Sequence, residues 1–306
     1  MNSDHEIIIA NLDEIWERQR GLNRLRISQA YEILNQLAPS MRLAGSTAEA
    51  IGTAAACFGK SELLKKFSSR DRILICRRLS EMLGSFGFSS DELLFNHPDT
   101  PNGTRVAYVI NRYSAEAFRI FSSHLPGAQP RIYNSFTEMC EGTASGKADA
   151  CVIPIENTSD GKLLSFYSLI ERFDLKTSAL CDITNEDDTK RTRYALLCRH
   201  IIRPAAGTRE GCDSIFFEFS FSPTPGITLD EILHAIVLCG LNIYIIDSAP
   251  LRYNESNFIF HIVLLGSLEN IITYTVFLTL CLAQYTPIGV CRLLGLADEN
   301  NPNEEA

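Results

Sequence analysis

Val152-Ile153-Pro154-Ile155-Glu156-Asn157-Thr158-Ser159-Asp160-Gly161 decides the reading of this chain. An apolar strand runs into a proline and then abruptly into a glutamate, an asparagine, two hydroxyls and an acid before closing on glycine. Hydrophobic runs that end in clustered polar groups mark strand C-termini, where α/β folds place their sites. On both sides of it strand and helix alternate. Arg105–Ile110, Arg131–Tyr133, Ala150–Pro154 and Thr192–Cys198 read as strands, and the stretches around Ser114–Phe121, Ser135–Ser145 and Leu163–Phe173 read as helices. That alternation is the mark of an α/β layer.

The preceding hundred residues read differently. Asn11 is a candidate cap for a long helix from Leu12 to about Leu37, with Ile15, Leu22, Leu25, Ile33 and Leu37 as its apolar stripe and Pro39 as its stop. Further helices are expected over Thr47–Phe58 and about Arg70–Leu83. The loop Asn96–Gly103 is dense in turn formers and reads as a domain boundary. From Cys212 the order becomes strand, helix, strand, strand, helix, strand. Ile215, Phe217, Phe219 and Phe221 alternate in its first strand. Thr228 and Glu231 form a capping box at the start of its first helix, with Gly240 at the end. The second helix, Leu268–Ala283, is apolar nearly all round, as at a subunit interface.

Composition narrows the function classes. With 306 residues and 45% hydrophobic content the chain has ample material for two or three packed domains. A net charge of −9 argues against a nucleic-acid partner, which demands clustered Lys and Arg. Ile7-Ile8-Ile9-Ala10 is too short for the apolar core of a signal peptide, so none is expected there, and the longest apolar run, about Ile271–Ala283, is too short to span a bilayer. A cytoplasmic protein is expected. The 10 cysteines are scattered without a CxxC pair and mostly sit in apolar company, which suits buried hydrophobes better than disulfides or a metal site.

The opening stretch, with its lead-in Ser145-Gly146-Lys147-Ala148-Asp149-Ala150-Cys151, resembles prephenate dehydratase, the aromatising enzyme of phenylalanine biosynthesis. Arg191-Thr192-Arg193-Tyr194 is similar to that family's Thr-Arg-Phe strand, with tyrosine in place of phenylalanine. The resemblance implies conversion of prephenate to phenylpyruvate, water and carbon dioxide without a cofactor. It assigns Thr192 as donor to the departing hydroxide, with Glu156, Asn157 and Thr158 at the opposite rim. Arg193 would grip a substrate carboxylate, helped by Arg112, Tyr113 and Ser114. A donor oriented at developing charge is what this chemistry requires.

Two departures from the family pattern weigh against turnover. Ile110-Asn111-Arg112 lacks the glycines that follow the family's first strand. Only Asp174–Lys190 separates the two motifs, where the family has a whole second lobe. The C-terminal unit resembles an ACT domain. Pro225-Gly226-Ile227-Thr228-Leu229 and Gly240–Pro250 carry that likeness, which places Gly226, Ile227, Asn242, Asp247 and Ser248 around an amino-acid effector. The expected architecture is mixed α and α/β. It comprises a helical domain over 1–100, a single-lobe periplasmic-binding-like α/β domain over 104–203, a ferredoxin-like βαββαβ (ACT-like) domain over 211–296 and a disordered acidic tail over 297–306. Two alternatives to catalysis of prephenate dehydration stand. One is a non-catalytic homodimer that senses an aromatic amino acid such as phenylalanine. The other is chorismate mutase activity in the N-terminal helices, with Arg18, Arg20, Arg24, Arg26, Lys60 and Lys65 as cations.

Overall fold

The computed structural model describes residues 2–60, 66–95, 103–185, 189–204, 214–222, 227–251, 254–282 and 284–295. The boundary loop at 96–102, Gly226 and the tail lie outside them. In chain order the elements are α1 (Asn2–Arg42), α2 (Thr47–Lys60), α3 (Ser69–Ser85), β1 (Arg105–Val109), α4 (Arg112–Ser123), β2 (Gln129–Tyr133), α5 (Phe136–Ala144) and β3 (Ala150–Asn157). There follow β4 (Gly161–Lys162), α6 (Leu164–Arg172), β5 (Lys176–Thr184), β6 (Arg191–Cys198), β7 (Ile215–Phe221) and α7 (Leu229–Leu238). The chain closes with β8 (Asn242–Leu251), β9 (Asn254–Gly266), α8 (Leu268–Cys281), β10 (Tyr285–Cys291) and β11 (Leu293–Leu294). No described helix is long and apolar enough to cross a membrane.

The chain divides into two compact units, one comprising residues 1–93, 223–240 and 272–284, the other 94–222, 241–271 and 285–306. The first is helical. Its helix α1 starts well before Asn11, which therefore lies inside the helix rather than at its cap. Pro39 does not end α1 either: the helix runs on to Arg42, and the N–H groups of Leu43 and Ala44 then close on the carbonyls of Ser40 and Met41. A proline lacks one donor, which a helix near its end tolerates. Only the later part of the expected stripe is covered: Ile33 and Leu37 are half-buried, whereas Ile15, Leu22 and Leu25 are exposed, and the fully buried residue of this stretch is Leu34, outside the expected set.

Helix α3 is started by a capping box in which the Ser68 hydroxyl accepts from the Asp71 N–H and the Asp71 carboxylate accepts from the Ser68 N–H. One turn on, the fully buried Arg72 donates from Nη2 to Glu231 Oε1 at 2.7 Å. Glu231 also completes the expected capping box with Thr228 at the start of α7, and Gly240 ends that helix at φ +72°. Helix α8 is buried on most sides within this one chain, Tyr274, Val276, Phe277 and Leu278 being fully covered. Its all-round apolarity is therefore satisfied without a second subunit.

The second unit is built on one sheet with the strand order β2-β1-β3-β6-β5-β10-β7-β9-β8, plus β4 on β3 and β11 on β5. The strands expected to form two separate layers are thus hydrogen-bonded together. The joint is the parallel pair β5–β10, with Gly289 opposite Thr177. Side-chain alternation gives the dehydratase-like strands two cores. On one face Ala107, Ile153, Ala195 and Leu197 pack with Met139, Cys140 and Ile170 of α5 and α6. On the other Val106, Val152, Tyr194 and Leu196 pack with Ala117, Ile120 and Phe121 of α4. Strand β7 departs from the expected alternation, since Phe217, Glu218 and Phe219 are all buried. Both of its faces are covered, so its polar position is enclosed.

Candidate functional site

The two dehydratase-like segments do come together. Strands β3 and β6 are antiparallel neighbours that place Asn157 opposite Thr192 and Glu156 opposite Arg193. The pairing slips by one residue between Pro154 and Glu156. Proline cannot donate to a ladder, and a bulge is where a sheet tolerates one. The slip turns Glu156 toward the face that carries Arg193.

Arg193 organises that face. It is buried, and its Nε and Nη2 donate to the two carboxylate oxygens of Asp182 on β5 at 2.8 and 3.0 Å. Its Nη1 donates to the Tyr244 hydroxyl at 3.0 Å, and Glu156 Oε2 lies 3.7 Å away. Tyr244 belongs to β8 at the far edge of the sheet, so the sheet curls to bring it there. Phe216 meets Tyr244 edge-on, with ring centroids 5.2 Å apart, and the guanidinium lies 5.9 Å from each ring. Burial pulls the guanidinium pKa down, but the hydrogen bonds it donates to Asp182 and Tyr244 outweigh that and hold it above its ordinary value. Three of its five N–H donors, including the Nε–Nη2 fork that would grip a substrate carboxylate, are thus already engaged.

The other rim residues also have local partners. Asn157 Oδ1 accepts from the N–H groups of Ser159 and Asp160, and its amide donates to Asp160. That is an Asx turn, which closes the β3–β4 connection. The Thr158 hydroxyl accepts from the Arg191 N–H at 3.3 Å. Thr192 is half-buried and, by strand alternation, faces away from Arg193 toward the side of Tyr194 and α4. The crevice among Glu156, Asn157, Thr158, Arg191 and Arg193 has a volume of about 10 Å³. That is room for about one water.

Arg112 and Tyr113 are exposed on the first turn of α4. Ser114 is buried there, its N–H held by Asn111 Oδ1 at 2.8 Å. Asn111, where the family pattern has glycine-rich backbone, thus serves as a helix cap. Of the residues expected around an effector, Asn242, Asp247 and Ser248 lie on β8, all exposed, and Asp247 meets Lys162 at 3.6 Å. Ile227 is buried in the helical unit, next to the Thr228 cap. On α1, Arg18, Arg20, Arg24 and Arg26 are exposed, and Arg20 pairs with Glu17 at 2.8 Å. The side chains of Lys60 and Lys65 are outside the described residues.

Four participants on the Arg193 face were not among the expected site residues: Asp182, Lys162, Tyr244, which lies within the ACT-like segment, and Glu218. Lys162 Nζ stands 4.1 Å from the Tyr167 ring centroid as well as against Asp247. Glu218 is buried, and among the described residues its Oε1 has no hydrogen-bond partner. Burial pushes its carboxyl up to about 7, against the pull of Lys162 and with the help of Asp247 and Glu171. One signal for it was readable, since Glu218 is the sole charge in the apolar run of β7. Among the described residues no group of three or more His, Cys, Asp or Glu side chains is arranged to hold a metal ion.

No protein-family model matches this chain, and no curated protein does. Among solved structures it is similar to the prephenate dehydratase of Streptococcus mutans, with 19% identity and a TM-score of 0.47 over 62% of this chain and 98% of the other. It is also similar to GqqA, described as a novel type of quorum-quenching acylase, with 19% identity and a TM-score of 0.45 over 61% and 94%. A third similar structure is the prephenate dehydratase of Arthrobacter aurescens in complex with L-Phe, with 15% identity and a TM-score of 0.43 over 61% and 90%.

Proposed function

We propose that this chain is a prephenate dehydratase-like protein that does not turn prephenate over. It serves instead as a non-catalytic cytoplasmic homodimer that senses an aromatic amino acid. One observation carries the loss of turnover: Arg193 is tied to Asp182 beside a crevice of about 10 Å³. Small-molecule sites usually enclose ~300 Å³ or more. The orientation of Thr192 away from Arg193 adds support, because donor and carboxylate grip must converge on one substrate. The sensing half of the reading rests on the ACT-like sequence of the C-terminal region and its element order β7-α7-β8-β9-α8-β10.

Purified protein is incubated with prephenate at neutral pH, and phenylpyruvate is followed by its absorbance in alkali. No product is expected above the spontaneous rate. Product formation that disappears in Thr192→Ala would refute the non-catalytic assignment. Phenylalanine or tyrosine is expected to raise the melting temperature, and light scattering to report two chains per particle. A flat thermal response to both amino acids removes the sensing assignment.

A further inference from the structure

The helical unit contains a cavity of about 500 Å³, within the size range of small-molecule sites. Arg26, Gln29, Ala30 and Ile33 line one side of it. They recur at i, i+3, i+4 and i+7 and so share one face of α1. Lys66 and Phe67, just before α3, form the other side. The floor is apolar: Ala30 is 1% and Phe67 5% exposed. The polar groups stand at the mouth.

The charges at that mouth are unequal. Arg26 and Lys66 make no hydrogen bond or ion pair among the described residues. The acidic group there, Glu32, accepts a hydrogen bond from Gln36 at 3.4 Å and keeps its charge, so the described lining carries two cations to one anion. Two free cations and the Gln29 amide over an apolar floor are complementary to an anion attached to a hydrocarbon body. We infer that this cavity binds a small organic carboxylate with a compact apolar or aromatic body. The apolar part enters between Ala30, Ile33 and Phe67, and the carboxylate rests between Arg26 and Lys66. Exposed ion pairs are individually weak, so apolar burial supplies most of the affinity and the two cations set the preferred charge.

The test uses the full chain and 1-naphthoate as probe, with 1-naphthylmethanol as its uncharged counterpart, both followed by calorimetry. One naphthoate per chain is expected, with the alcohol about tenfold weaker. Arg26→Gln and Lys66→Gln should each weaken naphthoate by about three- to tenfold and leave the alcohol unchanged, as expected for single exposed charge contacts. Gln29→Trp, at an exposed position on the rim, blocks the mouth without touching the core and should abolish binding while the melting temperature stays that of the parent. The inference is overturned by no binding of naphthoate, by equal binding of the alcohol, by unchanged affinity in both charge variants, or by full binding in Gln29→Trp. None of these outcomes bears on prephenate turnover, which concerns the other unit.

Discussion

Gly289 on β10 and Thr177 on β5 are in such close contact that a Cβ on the glycine would lie 2.6 Å from the threonine Cβ and 2.7 Å from its carbonyl oxygen. The residue is a glycine because of this approach, not because of its backbone angles. Gly289→Ala therefore forces the parallel joint apart and is expected to cost about 1–3 kcal/mol in denaturant unfolding. Gly52, inside α2, supplies the contrast, since nothing lies within 4 Å of its would-be Cβ. Gly52→Ala should stabilise by about 0.5–1 kcal/mol.

The Arg193–Asp182 pair is the second place where a substitution has a large expected effect. Removing one partner of a buried ion pair strands the other, at a cost of about 3–5 kcal/mol. Asp182→Ala should therefore unfold at markedly lower denaturant concentration than the parent. Arg193→Lys should recover little, because an ammonium cannot reproduce the two-point contact with the carboxylate. An Arg193→Lys variant as stable as the parent would show that the double hydrogen bond contributes nothing.

Glu218 predicts a pH dependence with a definite sign. Its folded-state carboxyl is raised to about 7 from an ordinary 4.5. The folded state thus holds the proton more tightly than the unfolded state, and stability falls as pH rises through that window. Glu218→Gln keeps the shape and removes the titration. The variant should match the parent near pH 4.5 and exceed it at pH 8, by on the order of 3 kcal/mol. Equal stability of the two proteins at pH 8 would contradict the buried, unpaired state of this group.

In the helical unit Glu231 has two tasks, the α7 cap and the contact with Arg72, whose side chain is only 2% exposed. Thr228→Ala removes the cap alone and should cost about 1 kcal/mol. Glu231→Ala removes both and should cost ~3 kcal/mol or more. Comparable losses in the two variants would mean that the ion pair with Arg72 adds nothing to the cap.

Much of the secondary structure was legible because it is local. The capping box at Thr228 and Glu231, the glycine after α7 and the strand-helix alternation from Arg105 to Cys198 follow from neighbouring residues alone. The pairing of Glu156 with Arg193 was legible in a different way, through two motifs that belong together in a known family. What the chain did not disclose was non-local. Asp182 sits in a stretch without any motif, and only the register of β5 on β6 places it under Arg193. Glu218 reads as a solvent-facing position until both faces of β7 are seen to be covered. Pro39 and Asn11 misled for a simpler reason: stop and start signals are preferences, and a helix near its end tolerates the one donor a proline lacks.

The β5–β10 joint also determines how the chain can be divided. A cut in the stretch 205–213 would yield two fragments, each ending in half of an unfinished sheet. One would present β5 and the other β10 as a bare edge, and each edge is in register with the other alone. Such edges seek partners. Produced separately, the fragments are expected to aggregate. Produced together, they should recombine as a split protein whose reassembly reports directly on whether Gly289 and Thr177 have met.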